Sequence, residues 1–175
     1  MNYATIKQVD IANGPGVRVS LFVSGCTHHC EGCFNAQAWD FHYGEPFTEQ
    51  TQEQILGYLN HDYVTGLTLL GGEPMEPQNQ EAVLSLVRKV RERLPEKTIW
   101  CYTGYDFEKD ILGRMMKTSE VTRMLVPLFD VMVDGRFVQA KRNLRLKFRG
   151  SENQRILDVA KSLEAEHAVW CEGFL

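Results

Sequence analysis

Short apolar runs and helical stripes alternate along most of the chain. Val17-Arg18-Val19-Ser20-Leu21-Phe22-Val23 follows the turn signal Asn13-Gly14-Pro15-Gly16 and is β-rich, with apolar residues alternating at its start. It predicts a first strand ending at Ser24-Gly25. From about Thr51 to Asn60 the stripe Ile55, Leu56, Leu59 predicts a helix, with Thr51 and Gln54 spaced as a capping box. Leu67-Thr68-Leu69-Leu70 is a short buried strand running into Gly71-Gly72-Glu73-Pro74. Beyond it Ala82, Val83, Leu86, Val87, Val90 and Leu94 recur at helical spacing with charged residues between them, and Pro95 closes the helix. Thr98–Tyr102 predicts the next strand, stopped by Thr103-Gly104. Helical segments follow from Asp106 to Lys117 and from Ser119 to Val126, and Val131-Met132-Val133 predicts a strand ending at Asp134-Gly135. Leu157, Ala160, Lys161 and Glu164 predict a helical tail over about 155–175, to which no role attaches.

The repeated order strand, turn, helix, strand predicts an α/β fold of βαβ units with right-handed crossovers and a mostly parallel sheet. Functional loops in such folds sit at the carboxyl ends of the strands. The loops after Val23, Leu70, Tyr102 and Val133 are therefore expected on one rim. The chain has 175 residues, without repeats or low-complexity linkers, and is expected to form one domain, 1–175.

Charge narrows the partners. Lys and Arg number 19 against 23 Asp and Glu, a net charge of −4, so no global field draws the chain to nucleic acid or an anionic membrane. The amino terminus carries no apolar stretch of the signal-peptide type and no segment is long and apolar enough to span a bilayer, which predicts a cytoplasmic protein. In that reducing setting the five cysteines are not a disulfide framework. Cys26, Cys30 and Cys33 crowd one segment, Cys26-Thr27-His28-His29-Cys30-Glu31-Gly32-Cys33, while Cys101 and Cys171 stand alone. Cys101, mid-strand, reads as a small core residue and Cys171 as incidental. Three converging thiolates suit a [4Fe–4S] cluster with one iron left open to a ligand. The rival is zinc, with His28 or His29 completing a closed Cys3His interaction module without catalysis. Gly71-Gly72-Glu73-Pro74 taken alone is a turn leading into a helix. Its glycines would also let main chain approach a ligand closely, and Glu73 could accept hydrogen bonds from an amino group.

Together, the Cys26/Cys30/Cys33 spacing and the Gly-Gly-Glu-Pro turn resemble the cluster motif and the amino-group motif of radical S-adenosylmethionine (SAM) enzymes. Gly32 stands where many members carry an aromatic residue, and the aromatic here is Phe34. The likeness is closest to the branch of glycyl-radical enzyme activases that act on anaerobic ribonucleoside-triphosphate reductases. It runs through Val9–Gly16, Leu21–Cys26, Cys33-Phe34-Asn35, Tyr102–Tyr105, Val133–Val138 and Arg149–Gln154.

This resemblance implies an incomplete, TIM-like βα barrel of the radical SAM type, and a chain this short with its βαβ order is expected to leave a lateral opening for a partner's loop. It implies one [4Fe–4S] cluster held by Cys26, Cys30 and Cys33, with SAM contacted by Gly32, Cys33, Phe34, Gly71, Gly72 and Glu73. The implied reaction is reductive SAM cleavage to a 5′-deoxyadenosyl radical that makes a glycyl radical on the reductase. The implied partners are the large catalytic subunit, reduced flavodoxin or a similar electron donor, and a second copy in a homodimer. The runner-up is the activase of another glycyl-radical enzyme such as pyruvate formate-lyase. Asp134, Arg136, Arg149, Ser151 and Asn153 match positions of the branch and would line the opening or bind ribose; as residues alone they read equally as solvated loop polars. His28 and His29 read as exposed loop residues. Lys141, Arg142, Arg145, Lys147 and Arg149 form a basic run, either a solvated face or a docking patch for an acidic partner.

Overall fold

A computed structural model describes residues 1–174. Its centre is a seven-stranded sheet formed by β1 (Asn2–Asp10), β2 (Val17–Val23), β3 (Glu45–Pro46), β4 (Val64–Gly71), β5 (Thr98–Tyr102), β6 (Val131–Asp134) and β7 (Arg155–Asp158). The spatial order is β3-β1-β2-β4-β5-β6-β7. The inner four, β2-β4-β5-β6, are parallel, and β1, β3 and β7 add to the edges antiparallel. The fold is thus mixed α/β with a largely parallel sheet, and the sheet does not close into a barrel.

Crossovers carry the helices: α1 (Glu49–Leu59) between β2 and β4, and α2 (Pro77–Arg93) between β4 and β5. Between β5 and β6 run a wide i→i+5 helix (Phe107–Met115), its short continuation α3 (Met116–Thr118), and α4 (Glu120–Leu125). Alternate residues of each strand divide between two faces, as the period of two requires. Val19, Leu21, Leu67, Leu69, Ile99, Cys101 and Met132 join the main core with residues of α1 and α2, while Trp100, Val131, Val133 and Ile156 form a smaller cluster on the other face. Both faces are covered, which is why the inner strands read as nearly continuous apolar runs.

Several expectations shift. The capping box of α1 lies three residues earlier: Thr48 is the cap and Thr51, at the third helical position, bonds back to its amide, so Gln54 has no capping role. α2 begins at Pro77, three residues beyond the proline of the Gly-Gly-Glu-Pro turn expected to lead into it, because proline is preorganised for a first helical turn. The tail expected to be helical over about 155–175 opens with β7, and its helix, α5, is confined to Val159–Ala165. The edge strands β1 and β3 had no expectation at all.

Arg18 is the unusual member of β2. It is fully buried, donates to Thr68 Oγ1 at 2.6 Å, Leu67 O at 2.8 Å, Thr98 Oγ1 at 3.0 Å and Thr98 O at 3.1 Å, and lies 5.5 Å from the Trp100 ring. Burial lowers its pKa to about 10. Gly14 makes room for it: at φ +130° it is the residue type that fits, and a Cβ there would sit 2.6 Å from Arg18 Cδ.

Candidate functional site

The carboxyl ends of β2, β4, β5 and β6 open onto one cavity of about 680 Å³. Its walls include Cys26, Cys30, Gly32, Cys33 and Phe34 from the loop after β2, and Gly71, Gly72 and Glu73 from the loop after β4. Thr103 and Gly104 after β5 and Gly135 after β6 complete the rim. The three cysteines and the Gly32, Phe34, Gly71, Gly72 and Glu73 expected to contact SAM therefore line one space.

Backbone bonds lock the first two loops together. Gly72 N donates to Val23 O at 2.7 Å, Glu73 N to Gly25 O at 2.8 Å, and Gly25 N to Ala38 O at 2.7 Å. The glycine pair is required by this crossing. Gly71 has φ +108°, and a Cβ on it would lie 2.7 Å from Phe22 Cα and Val23 N; one on Gly72 would lie 2.7 Å from Gly25 O.

Glu73 is the knot of the site. Its carboxylate is 1% exposed, with Oε1 accepting from Met75 N at 2.9 Å and Oε2 from Gly104 N at 2.7 Å. His28 Nε2 meets the same Oε2 at 2.9 Å. One side chain thus joins the loops after β2, β4 and β5. The expectation that His28 is an exposed loop residue is overturned: its side chain is 4% exposed, held by Glu73 and edge-on to Tyr105 at 4.5 Å. A Cβ on Gly104 would fall 2.5 Å from the His28 ring, so the Thr103-Gly104 step fits this histidine. His29 does stay outside, with φ +48°, and stacks on Trp39 at 4.5 Å.

Sequence reading missed two further buried anchors. Glu76 Oε1 accepts from both Thr27 N at 2.7 Å and Thr27 Oγ1 at 2.6 Å, and Asn79 Nδ2 donates to Ser24 O and Glu73 O at 3.0 and 3.1 Å. Both stand at the start of α2 and hold the stem of the cysteine loop. A carboxylate and an amide next to Pro77, just past the Gly-Gly-Glu-Pro turn, were the available signal.

All five cysteines are free. Burial pushes the Cys26 thiol up to about 11, against the backbone amide of His28, with Glu73 adding to the rise. Cys30 is also raised by burial, opposed by the Phe137 amide and the Arg136 charge. Phe34 is 84% exposed, so it is no core filler; it stands as an apolar plate at the cavity mouth. Cys101 is fully buried among core residues, and Cys171 borders the smaller cluster.

The polar candidates of the later segments separate. Arg149 lines the cavity, donating to Glu152 O and Gln154 O and lying over the Trp170 ring. Asp134 does not line it: 1% exposed, it accepts from Phe107 N at 2.9 Å and pairs with Arg155. Ser151 Oγ accepts from Val138 N, and Asn153 donates to Arg136 O, so both brace the loop between β6 and β7.

Similarity to known proteins extends over the segments that build this cavity. The profile of the 4Fe-4S single cluster domain matches residues 12–157. A protein of Enterobacteria phage T4 is 44% identical over 158 residues, covering 89% of this chain and 93% of its own. One from Pasteurella multocida is 42% identical over 89% of this chain and 96% of its own, and one from Escherichia coli K12 is 42% identical over 88% and 96%. Each bears the name anaerobic ribonucleoside-triphosphate reductase-activating protein. The chain belongs to this family. Within the family match fall the cysteine loop, the glycine pair, Glu73, Glu76 and His28; residues 1–11 and the last eighteen lie beyond it.

Proposed function

We propose that this chain activates an anaerobic ribonucleoside-triphosphate reductase as a radical SAM enzyme, using a [4Fe–4S] cluster held by Cys26, Cys30 and Cys33. The observation that carries this reading is the single cavity into which the cysteine loop, the glycine pair and Glu73 all face. When bound, the cluster supplies the electron that splits SAM into methionine and a 5′-deoxyadenosyl radical, which takes a hydrogen atom from a glycine of the reductase.

The donor set fits. Three thiols on a loop tied down at its stem by Glu76 and Asn79 leave one coordination position for a small ligand. Zinc is disfavoured by spacing. One zinc, with Zn–S bonds of about 2.3 Å, would draw its sulfurs to within about 4 Å of one another. Among the described residues the set of three ligand atoms within 4.8 Å is instead Asp106, Glu108 and Asp134, all three of which Arg155 contacts.

The protein's own part is positioning. Gly71 and Gly72 bare the main chain toward the cavity, and Gly32 and Phe34 offer backbone and an aromatic face for adenine. Glu73, fixed beforehand by three contacts, keeps acceptor capacity for the SAM amino group and costs no reorganisation when it binds. The open sheet edge lets an extended segment of another protein reach the cavity, as an incomplete barrel would.

Anaerobic reconstitution tests the reading. Expected are about four irons per chain, SAM cleavage on reduction, and a glycyl-radical EPR signal when the reductase large subunit is added. Colourless protein holding stoichiometric zinc would overturn it. A signal on pyruvate formate-lyase in place of the reductase would move the assignment to a different activase.

A further inference from the structure

Resting on the reading that the substrate is another protein, we infer that the loop between β6 and β7 is the docking surface for an acidic segment of that partner. From Arg136 to Ser151 the chain carries six cations, Arg136, Lys141, Arg142, Arg145, Lys147 and Arg149, and no carboxylate, in a protein whose net charge is −4. Among the described residues none of the six enters an ion pair. Elsewhere cations find carboxylates readily, as Lys89, Arg93 and Arg155 do. Like charges held close along one ordered loop repel one another. An arrangement that leaves them all unanswered suits a partner that brings the opposite sign.

The loop is ordered before any partner arrives. Gln154 receives Gly150 N and Ser151 N and donates to Gly135 O, Asn143 N donates to Gly150 O, and Glu152 N to Lys141 O. Tyr102 Oη holds Phe148 O at 2.8 Å, while the Phe148 ring, carried on a residue with φ +57°, packs edge-on to Trp100 and Phe174 at 5.7 Å each. Docking therefore pays little for ordering this side of the interface. The loop is also a wall of the cavity: Arg142, Leu144, Leu146, Phe148 and Arg149 line it together with the cysteine loop. Leu144, 85% exposed in the midst of the cations, stands beside that space as Phe34 does.

Alternation of cations with Leu144, Leu146 and Phe148 fits a polypeptide that carries both acidic and apolar side chains. A bare phosphate would use the cations alone and leave the interleaved apolar side chains without a partner. A segment bound here would pass its neighbouring residues directly into the cavity.

The test is Arg145→Glu/Lys147→Glu, two exposed positions outside the cavity wall, in the cluster-loaded chain. Binding of the reductase large subunit is measured anaerobically at low and high salt. Reductant-driven SAM cleavage without partner is measured in parallel. Expected are at least a tenfold weaker affinity at low salt, a flatter salt dependence, and unchanged SAM cleavage. Leu144→Ser should weaken binding with the salt dependence intact. Parent-like affinity in the double variant would overturn the inference, as would lost SAM cleavage, which would place these cations in the cofactor site. So would tighter capture of an oligonucleotide that competes with the reductase. A parent chain that cleaves SAM yet neither binds nor activates the reductase would instead defeat the proposed function.

Discussion

At the residue scale the site divides into ligands that the sequence displays and anchors that it conceals. Replacing Cys26, Cys30 or Cys33 by alanine is expected to abolish cluster retention, read as iron content and visible absorbance after anaerobic reconstitution. Cys101→Ser and Cys171→Ser should keep both. Glu73→Gln tests the knot. The amide group would turn donors toward Gly104 N or Met75 N, leaving a buried polar clash worth about 1–3 kcal/mol. It should therefore lower stability in urea and weaken SAM binding together, whereas a residue serving only the ligand would weaken binding alone. The cysteines and the glycine pair were legible because their chemistry lies in their spacing. His28 was not, since a histidine in a polar loop gives no hint of being buried; its partner is 45 residues away and meets it only once β2 and β4 lie side by side.

At the element scale the parallel centre was legible and the edges were not. β2, β4, β5 and β6 are buried on both faces and so read as apolar runs, but β1 is mostly half-exposed and carries Thr5, Lys7 and Gln8 among its apolar positions. Its identity as a strand comes from pairing with β2, which no local pattern records. β7 is four residues long, and its Ile156 and Leu157 continue into a helical spacing that hid it. Arg18 binds the centre together, and Arg18→Ala would strand oxygens of Thr68, Leu67 and Thr98 in the interior. A loss of about 3–5 kcal/mol in urea unfolding is expected. Gly71→Ala should be comparably harmful through its positive φ and the overlap with β2, and it should disturb SAM binding as well, because the same turn lines the cavity.

For the whole molecule, acid should loosen the carboxyl-terminal edge of the sheet before its centre. Three carboxyls ionise more readily than usual in the folded chain: the solvent-exposed Glu53, through its hydrogen bond from Arg93, and the partly buried Asp10 and Glu108. Burial opposes this at Asp10, but Asn13, Ser20 and the Ala12 amide outweigh it. At Glu108 burial is outweighed in the same way by Arg155 and the Ala168 amide. A lowered folded pKa means stability present in full above the unfolded values of about 3.9 for Asp and 4.3 for Glu, and lost as pH falls through the folded ones. Asp134 works in the other direction: burial raises its pKa in spite of Arg155, so its share is present at low pH and is lost as pH rises through the folded value, offsetting part of the acid loss. Glu108 matters most for order of events. It holds Arg155 of β7 at 2.8 Å and Ala168 N at 2.9 Å, so its protonation frees the strand and the tail that follow the basic loop. Hydrogen exchange followed by mass spectrometry from pH 7 to pH 3.5 should show residues 155–170 losing protection first, with β4 protected until global unfolding. Glu108→Gln should bring that early exchange up to neutral pH while leaving β4 unchanged. If β4 and β7 instead opened together at every pH, the edge would be no weaker than the core, and the basic loop would rest on a single cooperative unit.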